Sequence, residues 1–162
     1  MLRRIEAADG SALHAIMGSP DVSRWLRPAN VTTPFTPEEC DDWARRRDAH
    51  WRAFGYGEWL ALDGETPVAR GGLGHTVVDG RAEVELGWAV ATSHQGRGIA
   101  TKLARQGLAV AQERGIEGVV AYTRVDNEAS RRTAERVGLT LEKAFMHAGL
   151  PHVLYRKMRP IR

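Results

Sequence analysis

The chain has 162 residues, of which 43% are hydrophobic, and a formal net charge of +3 at pH 7. The hydrophobic content and the five tryptophans exclude a disordered chain, and the length predicts one domain over residues 1–162. The positive charge is spread along the chain, and the basic triplet Arg45, Arg46 and Arg47 has acidic neighbours, which indicates a solvated helix face and no nucleic-acid partner.

The first half of the chain predicts a strand, two helices and a loop. These are a strand at residues 2–6, a helix at 9–17 that ends near Gly18, Ser19 and Pro20, a loop at 24–37, and a helix from Thr36 through Arg52. The last helix has the clearest start, because Thr36 is a good N-cap, Pro37 suits the first helical position and Glu39 completes a capping box.

The second half predicts a mixed pattern of strands and helices. The strands are expected at residues 56–63, 67–78, 81–90, 118–123, 141–147 and 152–158, and the helices at 99–112 and 127–136. Asp79 and Gly80 connect the strands at 67–78 and 81–90, and this dipeptide is a strong signal for a tight hairpin.

A glycine-bearing turn, Gln95-Gly96-Arg97-Gly98-Ile99-Ala100, lies between the strand at 81–90 and an amphipathic helix. Gly96 and Gly98 lack a Cβ, so the backbone can approach a ligand closely or adopt a positive φ. A helix that starts there offers unpaired N–H groups to an anion. The Lys-Ser or Lys-Thr pair of a Walker loop is missing, and Thr101 replaces the third glycine of a dinucleotide fingerprint. The sequence therefore predicts another class of phosphate-binding turn, and a connector without a ligand is the alternative.

A second segment, Asn127-Glu128-Ala129-Ser130, opens another predicted helix, and Gly138 ends it. Asn127 is a good N-cap residue, and Ser130 suits the first turn. An asparagine in this position can cap the helix and also face a ligand.

The two segments together resemble the signatures of the GNAT superfamily of acetyl-CoA-dependent N-acetyltransferases. The first is Gln-x-x-Gly-x-Ala at 95–100 after Glu-Leu-Gly-Trp-Ala-Val at 85–90, and the second is Asn-x-x-Ser at 127–130 before Arg-Val-Gly-Leu at 136–139. The pattern is closest to the branch that acetylates ribosomal-protein N-termini. The resemblance implies an α+β fold, with a mixed, mainly antiparallel central sheet of about seven strands, flanked by about four helices and splayed at the acetyl-CoA site.

The same resemblance implies where acetyl-CoA binds. The glycine turn would hold the pyrophosphate, and backbone groups near Ala89 and Val90 would face the thioester. The implied acetyl-CoA contacts are Trp88, Ala89, Val90, Gln95, Gly96, Arg97, Gly98, Ile99, Ala100, Asn127 and Ser130.

Acetyl transfer to an amine requires a base, and the resemblance points to Glu85 on the strand at 81–90. Glu83 lies on the same face by alternation and is a rival, as is a purely structural role for Glu85. His147 and His152 are further alternatives near neutral pH.

The leaving thiolate of coenzyme A also needs a proton or a hydrogen bond. Many relatives carry a tyrosine seven residues after the helix-opening Asn, but that position here is Ala134. Ser130 is the candidate for stabilising the thiolate. The carboxylate that the ribosomal-protein branch carries near its penultimate strand is missing from residues 145–149.

The predicted function is transfer of an acetyl group from acetyl-CoA to a primary amine, by direct attack in a ternary complex. The acceptor is a protein N-terminus or a small-molecule amine, contacted by residues 24–35 and 148–152. The alternative is a catalytically degenerate acyl-CoA-binding sensor or interaction module. No metal site is predicted, because His75 lacks a partner at ligand spacing. The single Cys40 and the absence of a long apolar run favour a cytoplasmic protein without a membrane partner, and a homodimer stays open.

Overall fold

The computed structural model describes residues 1–160 as a seven-stranded sheet with five helices. The strands are β1 (Leu2–Arg4), β2 (Glu58–Asp63), β3 (Thr66–Val78), β4 (Arg81–Val90), β5 (Gly118–Arg124), β6 (Thr140–His147) and β7 (Leu150–Met158). The helices are α1 (Gly10–Met17), α2 (Pro20–Leu26), α3 (Pro37–Phe54), α4 (Ile99–Glu113) and α5 (Glu128–Arg136), and a 3₁₀ turn covers Thr92–His94.

The strands follow the order β1-β2-β3-β4-β5-β7-β6, and every neighbouring pair except β4 and β5 is antiparallel. This confirms the predicted mixed, mainly antiparallel sheet. The parallel pair β4 and β5 is joined at one position, Glu85 opposite Val120. The sheet is therefore open beyond Glu85, toward the C-terminal end of β4.

Each face of the sheet has its own hydrophobic core. Helices α1 and α3 cover one face, which we call the α3 face, with a cluster that includes Leu13, Met17, Cys40, Ala44, Leu60 and Ala89. Helices α4 and α5 cover the opposite face, with a cluster that includes Leu73, Leu86, Ala104, Ala134 and Tyr155. Gly107 lets α4 approach closely, since a Cβ there would lie 2.5 Å from Leu86 Cδ1. This close packing holds the middle of α4 against β4.

The strongest local signals in the sequence are confirmed. Asp79 and Gly80 both have positive φ, 47° and 77°, in the turn between β3 and β4. At the start of α3, Thr36 Oγ1 accepts from the Glu39 N–H at 3.2 Å, and Glu39 Oε2 accepts from the Thr36 N–H at 2.8 Å, which completes the capping box.

Helix α2 corrects one prediction, because its residues fall partly in the predicted loop at 24–37. The five helices of residues 1–160 agree with the expected α+β fold of about four helices. Helix α1 ends before Ser19 and Pro20, as predicted, and in addition the Ser19 side chain accepts from the Val22 N–H and Pro20 occupies the first position of α2. The same two residues therefore start a helix.

Two wider properties follow from residues 1–160. None of the helices in this range is both long enough and apolar enough to span a membrane. In the same range, no group of three or more metal-ligating side chains comes together.

Candidate active site

The opening between β4 and β5 exposes backbone groups of β4. The Ala91 N–H donates to the Val68 carbonyl at 2.8 Å, so it points toward β3. Because backbone groups alternate in direction along an antiparallel ladder, Ala89 also points toward β3, while Trp88 and Val90 point into the opening. Of the predicted thioester contacts, Val90 therefore offers an N–H to a ligand in the opening, and Ala89 does not.

The glycine turn lies directly after this strand. Gln95 Nε2 donates to the Val90 carbonyl at 3.1 Å and ties the turn to the end of β4. Gly96 and Gly98 have φ of 75° and 77°, and a Cβ on either would have no atom within 4 Å. Both glycines therefore combine a left-handed backbone with open space on the side where a side chain would stand.

The first turn of α4 presents free donors. Its first intrahelical bond runs from the Lys102 N–H to the Gly98 carbonyl at 3.0 Å. The N–H groups of Ile99, Ala100 and Thr101 precede that bond and have no carbonyl within the helix to accept them. Together with the positive end of the helix dipole, they form a site suited to a phosphate.

A cavity of about 460 Å³ beside this turn is lined by three cationic side chains. It is lined by Gly98, Thr101, Lys102, Arg105, Gln106 and Arg136. Sequence reasoning missed Lys102 and Arg105, although their spacing of four and seven residues from Gly98 puts them on the same side of α4. Arg97 is exposed on the turn itself and is not among the residues that line the cavity.

At the start of α5, Asn127 caps the helix. Its Oδ1 accepts from the Ser130 N–H at 3.3 Å, and Ser130 is partly buried in the first turn. The position where many relatives carry a tyrosine, Ala134, is 2% exposed and belongs to the core.

Glu85 belongs to a buried charge cluster on the α3 face, formed by Arg47, Glu58, Arg70 and Glu85. Glu58 Oε1 lies 3.3 Å from Arg47 Nε and 3.3 Å from Arg70 Nη1. A Cβ on Gly87 would lie 3.7 Å from Glu85 Oε1 and 3.8 Å from Arg70 Nη1, so both groups lie beside Gly87 on the same face of the sheet. Arg47 is partly buried here, so the prediction that residues 45–47 form a solvated face is wrong for Arg47.

The pKa values of the two carboxylates in this cluster are shifted in opposite directions. Burial raises the pKa of Glu85 to about 7, and the charge of Glu58 adds to this effect, while Arg47, Arg70 and Tyr122 oppose it. Burial alone would also raise the pKa of Glu58, but Arg47 and Arg70 outweigh it and the net pKa is lowered. The Glu85 residue as a whole is partly buried and keeps some solvent access. At neutral pH Glu85 can accept a proton, whereas Glu58 stays ionised.

The other candidate bases are less suited. Glu83 is held in a two-point ion pair by Arg156, at 3.0 and 2.8 Å, and these hydrogen bonds lower its pKa. Burial lowers the pKa of His147, and the neighbouring His152 adds to this effect. His152 is buried, with Nδ1 2.9 Å from the Leu150 carbonyl. The Tyr122 ring lies against His147, with 4.6 Å between ring centroids.

Tyr122 on β5 lies next to Glu85. Its hydroxyl interacts with Glu85 and lies 3.1 Å from Thr76 Oγ1, and burial raises its pKa to about 12, with the Glu85 charge contributing. Two residues further along β5, Arg124 lines a cavity of about 380 Å³. The cavity is also lined by Arg24, Arg27, Pro28, Ala29 and Leu150, among others.

The predicted acceptor segments meet at this second cavity. The Ala29 N–H donates to the Ala148 carbonyl at 2.9 Å, which joins the loop after α2 to the turn between β6 and β7. Arg24 and Arg124 both lie over the Trp25 ring, 4.4 and 5.1 Å from its centroid. The two segments thus form one wall of the second cavity.

Comparison with known proteins identifies this arrangement. The sequence model of the acetyltransferase (GNAT) domain matches residues 1–140. Mycothiol acetyltransferase of Nocardia farcinica is 30% identical over 145 residues, which are 85% of this chain and 48% of that protein. This chain therefore spans about half the length of that relative.

Solved structures show the same fold. Ribosomal-protein-alanine N-acetyltransferase from Brucella melitensis has a TM-score of 0.77 at 22% identity, over 98% of this chain and 99% of that chain. The yncA structure from Salmonella typhimurium, solved with its cofactor acetyl-CoA, has a TM-score of 0.74 at 19% identity, over 100% of this chain and 95% of that chain. At these identities the likeness concerns the fold, including the open sheet.

Proposed function

Because the chain belongs to the GNAT acetyltransferase family, a family that uses acetyl-CoA, we propose that it moves an acetyl group from acetyl-CoA to a primary amine by direct attack in a ternary complex. The acceptor is a protein N-terminus or a small-molecule amine. One observation carries the proposal: the sheet opens at Glu85, with the Val90 N–H inside the opening and a phosphate-type turn at its end.

The residues around the glycine turn fit a pyrophosphate. The N–H groups of Ile99, Ala100 and Thr101 donate to its oxygens, and the open positions at Gly96 and Gly98 admit it close to the backbone. Lys102, Arg105 and Arg136 supply the positive charge that the phosphates of coenzyme A require. Gln95 fixes the turn to the end of β4, and Arg97 and Asn127 are proposed as further contacts of the coenzyme.

Chemistry takes place where β4 and β5 separate. The Val90 N–H donates to the thioester oxygen as negative charge develops there, which stabilises the tetrahedral state. Glu85, directly or through a water, takes the proton from the acceptor ammonium, so that the neutral amine attacks the acetyl carbon. The N–C bond forms and the C–S bond breaks, and the proton that the attacking nitrogen loses passes to the departing thiolate, which the Ser130 hydroxyl at the start of α5 stabilises by a hydrogen bond. Glu85 then returns its proton to solvent through the cleft.

The proposal is tested by measuring thiol release from acetyl-CoA with a panel of amines: short peptides with free N-termini, amino acids, polyamines and aminoglycosides. Release above background with one class, together with a product 42 Da heavier, which is the mass of an added acetyl group, establishes the activity and names the acceptor class. Tight acetyl-CoA binding without turnover across the panel would contradict the enzymatic proposal and favour a binding module.

Arg136 provides a test of the cation cavity. We expect Arg136→Ala to raise the KM for acetyl-CoA about fivefold with kcat little changed, because an exposed charge pair with a phosphate contributes about 1 kcal/mol. The matched control is Arg132→Ala on the same helix, since Arg132 pairs with Glu128 and is not among the residues that line the cavity. Equal KM values for the two variants would remove Arg136 from the coenzyme site.

A further inference from the structure

Glu58 is a buried carboxylate that the proposed chemistry does not use. It is 4% exposed on β2, and its two ion-pair partners, Arg47 and Arg70, come from α3 and β3. Burying an ionised group in this way costs free energy unless partners compensate. The burial of an ionised Glu58 therefore indicates that this residue has a function besides packing.

The glycines of β3 remove the side chains that would separate Glu58 from Glu85. In the sheet register, Glu58 lies opposite Gly72, Gly72 lies opposite Gly87, and Gly74 lies opposite Glu85. β3 lies between the two strands that carry the carboxylates, and at these positions it contributes backbone only. The side chains next to both carboxylates are therefore those of Arg47 and Arg70, and Glu58 and Glu85 share these two cations in a region of low dielectric.

Arg47 on α3 lies on the same face of the sheet as the two carboxylates. A Cβ on Gly74 would lie 3.0 Å from Arg47 Nη1, so the guanidinium occupies the place of a side chain directly beside Glu85. The Trp43 ring supports both cations, with Arg47 at 5.0 Å and Arg70 at 4.5 Å from its centroid. With Glu85 ionised the cluster carries two positive and two negative charges and is neutral. With Glu85 protonated its net charge is +1.

We propose that Glu58 is a positioning residue for acetyl transfer, which acts across the glycines of β3 and through the shared arginines to let Glu85 gain and lose one proton, with Arg47 as the opposing charge. This inference rests on the proposed role of Glu85 as the base. Without Glu58, the two arginines would hold Glu85 as a firmly ionised carboxylate, which is a weaker base. Without Arg47, the cluster would hold the proton too tightly.

The charged and titratable groups around Glu85 come from every element packed against it. They are Arg47 on α3, Glu58 on β2, Arg70 on β3 and Tyr122 on β5. Glu83 on β4 itself is neutralised by Arg156 on β7. Glu58 is the one group among those acting on Glu85 that favours its protonated form by charge, since burial supplies the remainder.

The test compares Glu58→Gln and Arg47→Met by two readouts. The first is the Glu85 titration, followed by carbon NMR of labelled side-chain carboxyl groups in the coenzyme-free protein and assigned by its loss in Glu85→Gln. The second is the pH dependence of kcat. We expect Glu58→Gln to move both midpoints down by more than half a pH unit and Arg47→Met to move both up by more than half a unit. Glu83→Gln is the matched control and is expected to leave both midpoints in place.

Opposite shifts distinguish charge from packing, because two variants that only loosen the site would change stability or rate without moving the midpoints in opposite directions. An unmoved or raised midpoint in Glu58→Gln overturns the inference. Should that variant fail to fold, an unmoved midpoint in Arg47→Met, whose side chain is partly exposed, overturns it equally. Absence of acetyl transfer in the unmodified protein would defeat the proposed function instead, and the NMR titration still decides the influence of Glu58 on Glu85.

Discussion

Glu85→Gln is expected to reduce kcat for acetyl transfer about 10²–10⁴-fold at pH 8, the range that a positioned general base contributes. Glutamine keeps the size of the side chain but cannot accept the proton of the acceptor ammonium. Acetyl-CoA affinity should stay unchanged, because the glycine turn and the cation cavity lie at the other end of the opening.

The loss of rate in Glu85→Gln should depend on pH. A base works in its ionised form, and the pKa of Glu85 is about 7, so its contribution is fully present above pH 8 and falls about tenfold per pH unit below pH 6. The ratio of unmodified to variant rates should therefore rise with pH through about 7 and then level off. Taking the ratio at each pH cancels the titration of the acceptor amine.

Glu83→Gln is the matched control for this prediction. Glu83 lies two residues earlier on the same strand and face, but Arg156 holds it as an ion pair. Both variants remove one negative charge from β4, and only Glu85→Gln should lose the pH-dependent rate. Similar rates for Glu85→Gln and Glu83→Gln at pH 8 would exclude Glu85 as the base.

Local signals account for the part of the fold that the sequence predicted correctly. The Asp79-Gly80 turn, the capping box at Thr36 and the positive-φ glycines at 96 and 98 each depend on a few neighbouring residues. Such signals are readable without tertiary context. Local signals do not predict helix α2, because Ser19 and Pro20 are equally compatible with the end of one helix and with the start of the next.

The buried charge cluster was not predictable, because its members come from four different elements. Arg47 stands in a run of three arginines whose local context is a solvated helix, and only the packing of α3 over Gly74 shows its burial. Glu58 and Arg70 reach each other through the β2–β3 register, which the sequence does not specify. The resemblance directed attention to Glu85, but the cause of its raised pKa lies entirely in these tertiary contacts.

Gly98→Trp is expected to weaken acetyl-CoA binding about 100-fold or more, equal to about 2.7 kcal/mol. The position is open, with no atom within 4 Å of a Cβ, and it lines the cavity beside the start of α4. An indole there would fill the space in which we propose that the pyrophosphate approaches the N–H groups of α4. Isothermal titration calorimetry with acetyl-CoA measures the loss directly.

Backbone strain must be separated from the loss of the site, and the chain offers a matched control for it. Gly80 has the same φ of 77° and equally open surroundings, but it lies in the turn between β3 and β4. Gly80→Trp should therefore carry a similar strain of about 1–2 kcal/mol and lower the thermal midpoint to a similar extent. It should bind acetyl-CoA as the unmodified protein does.

Retained affinity in Gly98→Trp, or an equal loss in both variants, would contradict the assignment of a phosphate to the glycine turn. A loss confined to Gly98→Trp separates the ligand from the strain, because both glycines have the same φ.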